Sequence, residues 1–220
     1  MKQRAPADRL GELLAEVQAH LAAEQPELTA HVHKDMVVVE GKLLVGQPSA
    51  WFDVYDVLIA FTVEFPEAEP AVWEVASRIP RTADRHVFPK GGNCCLGIWE
   101  EWLVEAPAHG VADFMRGPLQ SYFEGQTHFE VHGEWPYGER PHGASGVFEA
   151  YADVLGLPHE PATIRAHLNA LTKRELKGHH ACPCGSGRRL RDCHAEGLRA
   201  MSAKVDADMA RRMLAGLPND

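Results

Sequence analysis

No apolar run in this 220-residue chain is long enough to span a bilayer, and no apolar leader follows Met1-Lys2-Gln3-Arg4. Those absences set the expectation of a cytoplasmic protein. Positive charge is also scarce. Twenty-two Lys and Arg face 31 Asp and Glu, for a net charge of −9. General nucleic-acid binders present a basic face, so that class is disfavoured. A disulfide framework is missing too. The 5 cysteines are an odd number; Cys94 and Cys95 are adjacent, and Cys182, Cys184 and Cys193 crowd into one short run. That spacing fits one metal site and one separate thiol in a reducing compartment. No internal repeat or low-complexity tract is present.

What is there reads as an α+β protein. Leu10, Leu13, Leu14, Val17 and Leu21 recur at helical spacing between Asp8 and Ala23, which predicts an N-terminal helix. Val37 to Val45 reads as two short strands about a Glu40-Gly41 turn. Ile59, Phe61, Val63 and Phe65 alternate with Ala60, Thr62 and Glu64, the pattern of a half-buried strand. Pro66 and Pro70 end it, because proline cannot donate to a ladder. Val72, Trp73 and Val75 begin another extended segment. A helix is expected over Val111 to Phe123, kinked or split at Gly117-Pro118. Residues 131 to 146 are loop-like, with Trp135-Pro136 and Pro141-His142-Gly143 as punctuation. Helical pattern returns at Val147 to Leu155 and from Pro161, and a last helix carries Leu198, Met201, Val205, Met209 and Met213.

The most informative stretch is Gly91-Gly92-Asn93-Cys94-Cys95-Leu96-Gly97-Ile98-Trp99. It places a thiol in a tight Gly/Asn-rich turn just past a strand-rich region. With His86 upstream and Trp102 downstream, it resembles the active-site segment of ubiquitin-conjugating enzymes. That family's segment runs His-Pro-Asn, a spacer, Gly-Asn-Ile-Cys-Leu-Asp-Ile-Leu and a Trp-Ser-Pro turn. Gly92, Asn93, Cys95, Leu96 and Ile98 match, and Cys95 falls on the thioester-forming cysteine. Phe65-Pro66-Glu67-Ala68-Glu69-Pro70 looks like a reduced form of the family's proline-rich turn. The family's His-Pro-Asn becomes His86-Val87-Phe88 here, one residue closer to the cysteine. The asparagine usually assigned to oxyanion stabilisation is therefore missing.

The resemblance implies an N-terminal helix, an antiparallel β-meander, an active-site loop and a following helix. It implies that Cys95 accepts a ubiquitin-like modifier from a ubiquitin-activating-like enzyme and passes it to a protein target. An exposed cysteine on a rigid turn suffices for such transfer, since thioester exchange is nearly balanced. Cys94 takes an apolar position in the family and should be the buried one of the pair, because adjacent residues of an extended loop point in opposite directions. His86 is open to a structural, hydrogen-bonding or proton-accepting role. Asn93 and His109 are further candidates, His109 on the acceptor side. The divergence and the tail described next point to a bacterial member, of a kind that accompanies activating-enzyme and modifier genes in antiviral defence.

A second signal is Cys182-Pro183-Cys184-Gly185-Ser186-Gly187-Arg188-Arg189-Leu190-Arg191-Asp192-Cys193-His194. Three thiols and an imidazole form a closed set suited to tetrahedral zinc, with Cys182, Cys184, Cys193 and His194 as ligands. The Gly-Ser-Gly segment lets the backbone wrap round the first sulfurs. The run resembles the SEC-C motif, an attachment found on many unrelated proteins, which makes it a docking module rather than a reaction centre.

The expected organisation is a ubiquitin-conjugating-like domain over residues 1–130, a loop and helical extension over 131–178, and a zinc motif with terminal helix over 179–220. A non-catalytic binding protein of the same fold, docking partners through the zinc tail, is the competing expectation. A cysteine hydrolase is the third, and would need a base that the many histidines permit without specifying.

Overall fold

The computed structural model describes residues 6–136, 138–173 and 175–218. Residues 1–5, where the sequence shows no apolar leader, lie outside the described residues. Contacts divide the chain into two compact units, residues 1–97 with 106–139 and residues 98–105 with 140–220. This differs from the three segments expected from the sequence. The helical extension and the cysteine-rich segment share one core, and a short helix from the middle of the chain joins them.

In the first unit, α1 (Pro6–Glu24) buries Leu13, Val17 and Leu21, which recur on one stripe. Four antiparallel strands follow as a meander in the order β1 (Leu28–His33), β2 (Met36–Gln47), β3 (Ala50–Thr62), β4 (Ala71–Glu74). Strand side chains alternate between faces. Val37, Val39, Leu43 and Val45 of β2 and Tyr55, Val57, Ile59 and Phe61 of β3 form the inner face, each 2% exposed or less. Removing such side chains from water contributes about 1.5–3 kcal/mol apiece.

The Glu40-Gly41 pair is not a turn. β2 runs straight through it, because Gly41 passes the Glu27 carbonyl closely. A Cβ at Gly41 would lie 2.4 Å from that oxygen, at a φ of +130°, and the next amide, Lys42 N–H, donates to it at 3.1 Å. The strand expected to reach Phe65 ends at Thr62, where Phe65 N–H closes a turn by donating to the Thr62 carbonyl. Phe65 still joins the core, edge-on to Phe61 at 5.3 Å.

After the Cys95 loop comes α2 (Trp99–Glu105), which belongs to the second unit. The first unit resumes with α3 (Val111–Phe114), a π-helical segment Met115–Leu119, and α4 (Gln120–His132). Gly117-Pro118 neither splits nor ends this helix. Pro118 has no N–H to donate, and the widened turn absorbs the fault, with Gln120 N–H reaching back to the Met115 carbonyl. Asp113 caps the start, its Oδ2 accepting from Gly110 N–H at 2.9 Å.

The second unit is helical: α2 with α5 (Ala144–Leu155), α6 (Pro161–Leu171), α7 (Ala195–Lys204) and α8 (Ala207–Gly216). The single terminal helix expected from the sequence is two helices. Asp206 breaks it, its Oδ1 accepting from Asp208 N–H at 3.0 Å and Met209 N–H at 2.8 Å to cap α8. Tyr151, Ile164, Leu168, Leu198 and Met213 meet in its core, together with Cys182 and Leu190 from the cysteine-rich segment.

Candidate active site and metal centre

The Cys95 loop is a small hairpin. Val87 and Cys94 pair in an antiparallel bridge, and the turn between them is closed by Gly92 N–H donating to the Phe88 carbonyl at 2.7 Å. Gly92 supplies the left-handed φ of +69° that this turn needs. The hairpin is pinned along the free edge of β4. Asn93 bridges to Trp73, Cys94 N–H donates to the Val72 carbonyl at 2.7 Å, and Trp73 Nε1–H donates to the Gly91 carbonyl at 3.1 Å.

The two thiols have different surroundings. Cys94 is 4% exposed, and burial pushes its thiol up to about 11 despite a hydrogen bond with Tyr122. Cys95 is half-buried. Burial lifts its thiol above the ordinary range, the Glu69 carboxylate adds to the lift, and a hydrogen bond from the Gly97 backbone opposes it. Cys95 is thus held protonated near neutral pH. A protonated thiol is a weak nucleophile, so Cys95 does not attack unaided.

His86 supports the loop chiefly through its backbone. Its carbonyl accepts from Cys95 N–H at 2.8 Å and from the Tyr122 hydroxyl at 3.3 Å. Its ring stands edge-on to Trp135 at 4.7 Å, with Nε2 3.8 Å from the Glu139 carboxylate. Asn93 folds over the turn; a Cβ at Gly91 would come 2.5 Å from its Oδ1. His109 lies half-buried in the connection ahead of α3. The structure therefore brings His86 and Asn93 to the Cys95 turn as scaffold. Trp73, which the sequence did not single out, also meets this turn, and the charge of Glu69 reaches Cys95.

A charged network anchors the approach to the loop. Arg78 donates to both oxygens of Asp53 at 2.9 and 2.7 Å, to Glu130 at 2.7 Å and to the Val54 carbonyl at 2.9 Å, while lying 4.1 Å over the Tyr55 ring. Burial pushes the Asp53 carboxyl up, but the bonds from Arg78 and Thr127 outweigh it and leave it at about 2. Arg85 reaches Gln126 at 2.8 Å and lies over Phe129. Residues 78 to 85 are thereby tied to β3 and α4.

In the second unit, Cys182, Cys184, Cys193 and His194 offer ligand atoms all within 4.8 Å of one another. Cys182 Sγ lies 3.4 Å from His194 Nδ1, Cys193 Sγ 3.3 Å from the same nitrogen, and Cys184 Sγ 3.6 Å from Cys193 Sγ. A tetrahedron with metal–sulfur bonds of about 2.3 Å has edges of about 3.5–3.8 Å, close to these three separations, so the cluster could hold a metal ion. Backbone bonds shape the cage. Cys182 N–H donates to the Arg188 carbonyl at 2.9 Å, Cys193 N–H to Leu190 at 3.1 Å, and Gly185 and Gly187 take φ of 77° and 72°. The Ser186 hydroxyl, 3.2 Å from Cys184 Sγ, is the main cause lowering that thiol to about 6; burial raises Cys182.

Residues 181–196 match the SEC-C motif. The SEC-C segment thus takes in all four donors and ends in the first turn of α7. No curated protein and no solved structure matched the chain. No helix among the described residues is long and apolar enough to cross a membrane.

Proposed function

We propose that this chain is a carrier in a bacterial ubiquitin-like conjugation pathway of the kind linked to antiviral defence, built on a ubiquitin-conjugating-like first unit. Cys95 accepts the modifier as a thioester and hands it to a protein target. The observation that carries this is the division of roles between adjacent thiols. Cys94 is buried at 4% exposure, whereas Cys95 is half-buried on a turn pinned to the edge of β4. The order of helix, four-stranded meander, cysteine turn and helix supports the same reading. A raised thiol suits a carrier, which must hold an acyl group without hydrolysing its cargo.

The SEC-C segment is proposed to hold one structural zinc through Cys182, Cys184, Cys193 and His194. Four protein donors leave no open position, so the metal supplies folding energy rather than chemistry. A second reading is a non-catalytic adaptor that docks partners through this segment. It is favoured by the Cys95 amide, whose N–H is spent on the His86 carbonyl and is not offered to an oxyanion. Incubation with a cognate activating enzyme, ATP and modifier, followed by non-reducing electrophoresis, separates the two. A thiol-sensitive adduct on Cys95 is expected; its absence would establish the adaptor.

A further inference from the structure

In the second unit, α6, α7 and the α5–α6 connection line a cavity of about 420 Å³. Glu160, Thr163 and His167 line it from α6 and its cap, at a spacing that puts them on one helix face. Gly197, Leu198 and Met201 line it from α7. Gly197 keeps that side open, since a Cβ there would meet nothing within 4 Å. Cys184 and His194 of the metal centre border the same space.

One deeply placed polar atom in this cavity lacks a partner. His167 is 4% exposed, and its Nδ1 lies 2.8 Å from the Thr163 carbonyl. A carbonyl only accepts, so Nδ1 carries the proton and Nε2 of the neutral ring keeps a lone pair. Nε2 has no hydrogen-bond partner among the described residues, and protein does not wall it off. An acceptor so placed is costly unless a donor reaches it. The second acceptor is Glu160, whose Oε2 accepts from the Thr163 hydroxyl at 3.0 Å. Glu160 makes no ion pair among the described residues, and neither lysine nor arginine belongs to the lining. Thr163 thus holds both acceptors, His167 by its carbonyl and Glu160 by its hydroxyl.

We propose that this cavity binds a small primary amine with an apolar body. Its ammonium donates to His167 Nε2 and pairs with Glu160, and its body lies against Leu157, Pro158, Leu198 and Met201. The demand for donors selects the occupant. Two acceptors call for N–H or O–H, and the Glu160 charge favours a cation over a neutral donor and opposes an anion. An ammonium has three N–H donors, enough for both. The volume lies in the range of small-molecule sites. The inference needs neither the carrier reading of Cys95 nor any chemistry at the metal.

The test titrates the full chain, as purified, with phenethylamine, phenethyl alcohol and hydrocinnamate. The Met201 methyl and His167 ring signals are followed by NMR. The amine should shift both and bind about fivefold more tightly than the alcohol, the upper range for a partly exposed ion pair. Hydrocinnamate should not compete. Glu160→Gln keeps an acceptor for the Thr163 hydroxyl and should bring the amine down to the alcohol's affinity, with the alcohol unchanged. Gly197→Leu fills the cavity from a helical position that suits leucine. It should abolish amine binding while the melting temperature holds or rises. Equal affinity for amine and alcohol would reduce the site to an apolar cavity and overturn the proposal. Preference for hydrocinnamate, absence of any shift, or amine shifts that survive Gly197→Leu would overturn it as well.

Discussion

Ending the chain after Gly178 should unfold more than the SEC-C segment. The cut removes Leu190, Leu198, Val205, Met213 and Leu217, each 5% exposed or less and all in one core with Tyr151, Ile164 and Leu168. At about 1.5–3 kcal/mol for each large apolar side chain, the lost burial is about 7–15 kcal/mol, an upper bound because unfolded chains already bury some surface. That rivals the whole stability of an ordinary domain, about 5–15 kcal/mol. Helices α5 and α6 keep too little apolar surface of their own to hold together. Hydrogen exchange is the assay. Amides of α5 and α6 should be strongly protected in the full chain and exchange at nearly unfolded rates in the truncated one. Full protection of α6 after truncation would falsify the idea of a shared core and return the tail to the status of a detachable module. The same logic warns against reading a functional defect of such a deletion as lost docking.

Cys95→Ala should abolish a thiol-sensitive adduct with little loss of stability, whereas Cys94→Ala should keep the adduct and lose about 1 kcal/mol of stability; adduct loss from Cys94→Ala alone would reverse the assignment. The purified chain should hold close to one zinc, and chelation should lower the melting temperature of the helical unit, since Cys182 and Leu190 are part of its core; elemental analysis and calorimetry check both. Asp53, depressed to about 2 from 3.8, stabilises the fold above pH 3.8 and ceases to as pH falls through 2. Arg78→Met should therefore cost about 1–2 kcal/mol at neutral pH, after allowance for solvent, and the deficit should shrink in acid melts. Gly41→Ala should destabilise by about 2–4 kcal/mol because its Cβ meets the Glu27 carbonyl at 2.4 Å and its φ is +130°; an unchanged melt would mean that β2 yields there.

Periodicity made α1 legible, because Leu13, Val17 and Leu21 are apolar and point one way. It failed for β1, whose Thr29, His31 and His33 carry no hydrophobic signal and lie exposed. Gly41 resembles a turn residue until the chain it passes is known, and Glu27 lies well upstream of it. Gly117-Pro118 looks like a helix breaker because propensity counts the lost hydrogen bond and not the wider turn that absorbs it. At the cysteine loop, strand alternation was enough to send Cys94 inward. The closed set of four donors was legible from spacing alone, since a short chain segment leaves its ligands few places to go. The pairing of β3 with β4 was not legible. Ala60 and Ala71 are far apart in sequence and become neighbours only through the β3–β4 register.

The chain's route between its two units has a consequence for synthesis and for fragmentation. It leaves the first unit after Gly97, returns at Ala106 and leaves again after Glu139. A ribosome therefore releases every residue of the sheet unit before α5 exists, while Ile98, just ahead of α2, and Val104 within it emerge long before the core that will receive them. For that interval α2 has no core in which to bury its apolar side chains. A protease that nicks the connection near Glu139 cannot liberate two intact halves, since one still owns a helix of the other. Either unit, expressed from a contiguous stretch of the gene, comes with a foreign insert or with a missing piece.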